Sequence, residues 1–551
     1  MTSAEPTPPS LLLGPLLRHV DPVSATVWVE TDRPCEVAVL DRRARTFAVA
    51  GHHYALVVVE GLEPGSTTPY DVRLDGARVW PPEESPFPPS RIRTPGGPGP
   101  FRLAFGSCRY ASPRTVEDSE GIPPDALDLY AQQLAAEPEE SWPDALVLLG
   151  DQVYADELTE PTTEWIAARR DLNRAPGAQA ADFEEYTRLY AESWTDPQVR
   201  WLLSTIPSSM IFDDHEMIDD WNTSAAWRAE VSSQPWWHER ITGGLASYWV
   251  YQHLGNLSPQ ELAENETWQA VQGLPQGEPA DALLRDMAER ADAEPAGIRW
   301  SYVRHWGEAR LVMVDSRAGR VLEESARRML DDAEFDWVEA ALQRAVEEGV
   351  QHVVVGTSLP WLLPHAIHEL ERWNETLAVR HAGRRRGRLA EKLRQAADLE
   401  HWAAFGHSFE RMGTALTALA RGEHGRAPAT ALVLGGDVHH AYAAELVRPG
   451  GLESRVHQLT VSPLHNQAPH PIRMGFKIGW SRAARWFTER LARLAKAKPS
   501  ELEWTKRAGP FFGNQLGELV LSGREARFRL WVAERGDPRL RQVLDMPLSD
   551  A

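Results

Sequence analysis

The sequence predicts a layered domain of mixed α/β or α+β class, preceded by a small all-β domain. Three observations carry that expectation. Over roughly the first hundred residues, short strand-like runs are separated by turn residues at sandwich spacing. From Phe101 onward, strand-like runs alternate with helical periodicity. Between the two lies the Pro- and Gly-rich stretch PPEESPFPPSRIRTPGGPGP, which places a boundary near residue 97 and domains at 1–97 and 98–545.

In the first domain, ATVWVETD alternates Val27 and Val29 with polar neighbours or Trp28, and EVAVL, HYALVVVEGL and PYDVRLDG read as further strands. The segment LEPGSTTPYDV, with Leu62, a Pro64-Gly65 turn and Tyr70, resembles a fibronectin type III corner and implies a fibronectin- or Ig-like sandwich. In the second domain, FRLAFGSC and DALVLLGD read as strands joined by PDALDLYAQQLAAE, where Leu127, Tyr130 and Leu134 recur at helical spacing. SSMIFDDH, ARLVMVDSR, QHVVVGTS, ALVLGGDVHH and RVHQLTVS read as later strands, and LGELVLSG with ARFRLWVAE as a closing hairpin. Two segments read as helical insertions, an acidic one at 256–297 and an arginine-rich one within 379–424. In the latter, VRHAGRRRGRLAEKLR is either a solvated face or one that meets phosphate or a partner.

Composition narrows the function classes. With 42% apolar and 25% charged residues and no run of about 18 apolar residues, no membrane span is expected. The leading segment lacks a basic region, a twin arginine and a small-residue cleavage site, and Cys35 and Cys108 are the only cysteines. These features point to a cytoplasmic protein. A net charge of −21 disfavours a stable nucleic-acid partner, so any handling of phosphate needs local arginines or metals.

The chemistry concentrates where strands end. AFGSC ends at Cys108, LVLLGD at Asp151 with Tyr154 beyond it, MIFDDH at Asp213, Asp214 and His215, and LVLGGDVHH at Asp437, His439 and His440. Loops after the carboxyl ends of strands in layered α/β folds converge on one crevice. Taken singly, an aspartate after a strand is a turn or helix cap, and a lone cysteine a small hydrophobe. Together, four or more carboxylates repel at low effective dielectric and need protons or cations to coexist. Histidine, thiolate and phenolate beside them favour a transition metal at one position, and oxygen donors a harder cation at another.

At these residues the sequence resembles the alkaline phosphatase D-type (PhoD-like) metallophosphatases of the calcineurin-like superfamily. The likeness runs through FGSCRY, GDQVYAD, FDDHEMIDDWN and GGDVHH in order, with the MVDSR strand, the MLDDAEFDWVEAAL helix and the leading β module in place. It implies a metallophosphoesterase β-sandwich flanked by helices, and a site using Fe3+ and Ca2+, or another divalent metal in place of either. Carried over by position, Cys108, Asp151 and Tyr154 hold iron, Asp151 bridges, Asp214 and Asp437 supply oxygen donors suited to calcium, and His439 rather than His440 completes the iron set. His215 faces the substrate as a catalytic group, donating to a phosphoryl oxygen or protonating the leaving group. Asp213, Asp219, Asp220, Asn222 and His440 stand as supporting or substrate-facing groups. One departure is TSLPWLLPHAIHE, where the family has an amide-containing motif; Thr357, Ser358, His365 and His368 are candidate replacements.

The expected reaction is hydrolysis of a small phosphate ester by a bridging hydroxide between two cations. A phosphodiesterase with the same core is the nearest alternative, and a non-catalytic metal- or phosphate-binding regulatory protein an alternative of another class. Oligomeric state and physiological substrate are left open by the residues.

Overall fold

The computed structural model describes residues 8–550 except 97–98, 112–121, 448–450, 468–469 and 538. The expected boundary at 97/98 lies outside the described residues.

Residues 11–93 form an all-β module. One four-stranded sheet runs in the order Leu11–Val20, Ser24–Thr31, His52–Glu60, Phe47–Val49, and a second in the order Arg42–Arg45, Glu36–Val39, Val72–Leu74, Ala77–Trp80. The alternation read in ATVWVETD has a two-sided explanation, since successive side chains of a strand point to opposite faces. Val27 and Val29 join Val37, Val57, Val72 and Leu74 in the module's own core. Trp28 points the other way into the core of the larger body, its ring 5.2 Å from that of Tyr251. Tyr70, read as a corner residue, is buried and its hydroxyl donates to the Ser204 carbonyl in the main body at 2.5 Å.

The larger body contains two sheets. The six-stranded sheet runs Ser208–Ile211, Ala145–Leu149, Phe101–Gly106, Gln515–Ser522, Glu525–Ala533, Leu540–Pro547, with its first three strands parallel and the rest antiparallel. The seven-stranded sheet runs Tyr302–Trp306, Ala309–Val314, His352–Thr357, Thr430–Gly435, Arg455–Thr460, Ala441–Leu446, Trp504–Phe511, with four parallel strands at its centre. Their facing sides share one apolar core, in which Leu103, Phe105 and Leu146 meet Val354, Leu432 and Leu459. The outer side of the seven-stranded sheet offers Val353, Val355 and Val433 to helices Asp332–Glu347 and Gly406–Ala420. Continuous burial on both faces explains why these strands read as unbroken apolar runs rather than alternating ones.

The acidic segment at 256–297 carries helices Pro259–Glu264, Glu266–Gln272 and Asp281–Ala293, and the arginine-rich one carries Arg385–Ala396 and Gly406–Ala420. No helix among the described residues is long and apolar enough to cross a membrane.

Candidate metal centre

Five strands in the two sheets deliver their carboxyl ends to one place. Gly106 leads to Cys108, Leu149 to Asp151, Ile211 to Asp213 and Asp214, Val314 to Asp315 and Arg317, and Gly435 to Asp437. The turns are sharp: Cys108, Asp151, Asp437 and His439 have φ of +55°, +53°, +62° and +48°. A non-glycine residue in this region costs on the order of 1 kcal/mol or more, and such positions cluster at functional sites. Gly150, at φ +98°, is required as glycine, because an added Cβ would lie 2.5 Å from that of Asp213.

Backbone bonds tie the turns together. The Cys108 amide donates to the Gly150 carbonyl at 3.1 Å and the Arg109 amide to that of Asp151 at 2.9 Å. Beneath them the buried Glu216 carboxylate accepts from the amides of Asp151, Gln152 and Asp213 at 2.8–2.9 Å, and from Gln252 Nε2 at 3.1 Å. One side chain thus fixes both acidic turns.

One carboxylate oxygen from each of Asp151, Asp213, Asp214 and Asp437 lies within 4.8 Å of the others, and a His215 ring nitrogen stands equally close to Asp151 and Asp214. Burial, then the neighbouring acids, pushes Asp151 well above the usual carboxylate range, and burial does the same to Asp213. Partial compensation comes from Arg317, fully buried, whose guanidinium reaches Asp213 at 2.5 Å, Asp214 at 3.3 Å and Glu400 at 2.6 Å. His401 Nε2 lies 3.2 Å from Asp437 while its Nδ1 is held by Glu371 at 2.7 Å. Burial alone would raise Asp437, but His401 and Arg317 outweigh it and hold that carboxyl below the usual range.

These cations do not satisfy the cluster. Both oxygens of Asp151 and Oδ2 of Asp213 are buried without a hydrogen-bond partner. Orphaned carboxylate oxygens surrounded by further carboxylates are a donor set that fits a hard cation, since burying them otherwise costs several kcal/mol per charge.

The softer candidates surround this set. Cys108 Sγ is outside the group of mutually close donors; it lies 3.1 Å from Ser462 Oγ, 3.3 Å from Ser107 Oγ and 3.7 Å from the Asp437 carbonyl. Burial, then Asp151 and Asp437, raises its thiol well above the ordinary value. The buried Tyr154 hydroxyl accepts from Asn466 Nδ2 at 3.0 Å, and its ring packs 4.5 Å from His215. His439 borders a cavity of about 260 Å³ lined by Asn466, Gln467 and Arg473. His440 Nδ1 instead pairs with the Val438 carbonyl at 2.7 Å, and its ring packs on Phe476.

His215 Nδ1 lies 2.8 Å from Asp156, an arrangement that fixes the ring and, against burial, raises its pKa well above the ordinary value. Asp156 also accepts from the Asp219 amide, and Asp214 from the Asp220 amide at 3.0 Å. Burial and neighbouring acids push Asp219 to about 7 and Asp220 to about 9. Asn222 donates to the Arg317 carbonyl at 3.2 Å, so it supports the arginine. Of the four candidates in TSLPWLLPHAIHE, Ser358 reaches the cluster, donating to Asp213 at 2.9 Å. Thr357 accepts from Trp402, and His365 and His368 pack against Trp504.

Sequence reasoning passed over Glu216, Arg317, His401, Glu371, Glu400 and the role of Asp156. Arg317 had a signal, because it follows a strand end as the acids do. His401 and Glu371 had none, since a loop and a helix bring them in.

Parallel strands feeding a crevice of carboxylates make this a layered α/β body with an acidic cluster that could hold a metal ion. The PhoD-like phosphatase family model matches residues 127–512, and the chain belongs to that family and is a phosphatase enzyme. A domain of unknown function (DUF7800) matches residues 8–92. A search of curated proteins found no match. Among solved structures, one described as the structure of PhoD aligns over 100% of this chain and 94% of its own at 13% identity, with a TM-score of 0.59. The purple acid phosphatase PPD1 from yellow lupin (Lupinus luteus) seeds aligns over 97% and 74% at 10% identity, with a TM-score of 0.49.

Proposed function

We propose that the protein hydrolyses small phosphate monoesters in a two-cation site. The observation that carries this reading is Asp151, whose two buried oxygens lack any protein partner among three further aspartates. In this reading Cys108, Asp151, Tyr154 and His439 would hold ferric iron, and Asp151, Asp214 and Asp437 would hold calcium. The bound cations would supply Lewis acidity toward the phosphoryl group and a water of lowered pKa.

The chain's own residues do the rest. Asp156 fixes the His215 ring through Nδ1 at 2.8 Å, leaving Nε2 to hold a proton for a phosphoryl or leaving-group oxygen. Arg317, anchored by Glu400 and supported by Asn222, positions Asp213 and Asp214 and offsets their charge. Residues 1–97, read as a fibronectin-like sandwich, brace a catalytic domain of 98–545.

Metal analysis joined to turnover tests this. Protein reconstituted with iron and calcium should retain both and hydrolyse a monoester faster than a bis-ester. Asp151→Asn should lose both metals, with affinity down by more than the roughly 10–100-fold that removing an outer-shell partner costs. His215→Ala should keep the metals and lose about 100-fold or more in kcat. A reconstituted protein without transition metal, or equal metal loss in both variants, contradicts the assignment.

A further inference from the structure

We infer that helices His470–Gly479 and Arg482–Leu494 form a docking surface for an anionic lipid bilayer. Between His470 and Lys498 the chain carries eight arginines and lysines against one acidic residue, Glu489, although its net charge is −21. The stretch is therefore locally basic within an acidic chain. The same stretch exposes large apolar side chains: Met474 is 45% exposed, Ile478 53%, Trp486 61%, Phe487 56% and Leu494 73%. These are five of the twelve exposed large hydrophobics among the described residues, so the patch is not the ordinary scatter of a soluble surface.

The helical positions put charge and apolar surface together. At 3.6 residues per turn, Trp486, Phe487 and Leu494 fall on an arc of about 100°, with Arg490 inside it and Arg482 and Arg493 at its edge. Met474 and Ile478 are four residues apart and share a face of the preceding helix. The inward sides are accounted for. Phe476 packs on His440 at 4.1 Å, and both helices pack on helix His365–Arg380. Helix Arg385–Ala396 packs on that same helix and adds Leu389, 69% exposed, within its arginine-rich segment.

A bilayer interface suits both halves of this surface. Apolar and aromatic side chains enter the headgroup boundary while arginine and lysine stems snorkel to anionic phosphates. A nucleic acid would use the cations but gain nothing from the aliphatic side chains at 474, 478 and 494. A second copy packed patch to patch would set eight basic residues against eight, with one acidic residue on each side to offset them.

The full-length protein should be floated with vesicles of phosphatidylcholine alone or with one third phosphatidylglycerol. Binding is expected to the anionic vesicles, weakened at least tenfold in high salt, and to be absent from the neutral ones. The variants W486S/F487S and R482Q/R490Q/R493Q should each lower partitioning at least tenfold while keeping the wild-type thermal midpoint and far-ultraviolet dichroism. V23S, at an exposed apolar site of the N-terminal module, should bind as wild type. Absence of vesicle binding, or variants that partition as wild type, overturns the inference. So does retention of RNA or self-association that the two variants abolish while vesicles stay unbound.

Discussion

Glu216 shows how much of the site depends on a residue that need touch neither metal nor substrate. Its carboxylate gathers the amides of Asp151, Gln152 and Asp213, so the direction of two acidic turns is set by one acceptor. Burial raises this group to about 7, a cost the three amides and Gln252 partly offset. Glu216→Ala would leave three buried N–H groups without an acceptor, each worth about 1–3 kcal/mol when unsatisfied. With relaxation of the turns, a loss of about 3 kcal/mol or more is expected in a urea titration, together with reduced metal retention. An unchanged midpoint would show that solvent or another acceptor fills the place. Arg317 is the electrostatic counterpart at the same scale: it compensates acids that backbone bonds alone cannot.

Among the elements, helix Ala126–Ala136 links the Cys108 turn to the outer layer. Asp125 caps it, accepting from the amides of Leu127 at 2.8 Å and Asp128 at 3.3 Å, and the same carboxylate takes Arg109 Nε at 2.8 Å. Arg109, next to Cys108, also donates to the Ser193 carbonyl of helix Phe183–Trp194 at 2.6 Å. Asp125→Ala removes the cap, about 1 kcal/mol, and strips a buried cation of its counter-charge, so a total of about 2–4 kcal/mol is expected. Asp125→Asn keeps the cap and should recover roughly the capping share, and equal losses in a urea titration would show that the cap carries nothing. The strand elements were legible where burial on both faces wrote an unbroken Val/Leu run, as in Ala145–Leu149 and His352–Thr357. Strand Ala441–Leu446 was not: AYAAEL favours a helix by propensity, yet two antiparallel neighbours bury all six residues as sheet. The site divides likewise. Asp151, Asp214 and Asp437 were readable because strand ends converge, whereas His401 and Glu371 meet them only through tertiary packing of segments with no motif.

Across the whole molecule, the N-terminal module is wired to the carboxylate turns by a short relay. Arg18 donates to the Gln252 carbonyl at 2.7 Å and to Asn256 at 3.0 Å, and Gln252 in turn donates to Glu216. A second junction is His52, whose ring nitrogens lie 2.8 Å from Glu30 in its own module and 2.8 Å from Glu184 on helix Phe183–Trp194. Burial would lower the pKa of this histidine, but the two carboxylates outweigh it and raise it. A folded pKa above the unfolded value of 6.5 means that the charged junction contributes its full stability below that value and loses it as pH rises through the folded pKa. Charge-assisted bonds of this kind are worth about 1.5–3 kcal/mol, and partial solvent access reduces the pair here to about 1 kcal/mol. The difference in unfolding free energy between wild type and His52→Gln should therefore be largest below the unfolded value of 6.5 and shrink as the pH rises through the raised folded value. Taking the difference cancels the titration of every other histidine. A difference that stays flat or grows with pH would mean that His52 is neutral in the folded protein and that the other junctions, Tyr70 on Ser204, Arg18 on Gln252 and Asn256, and Trp28 against Tyr251, hold the module.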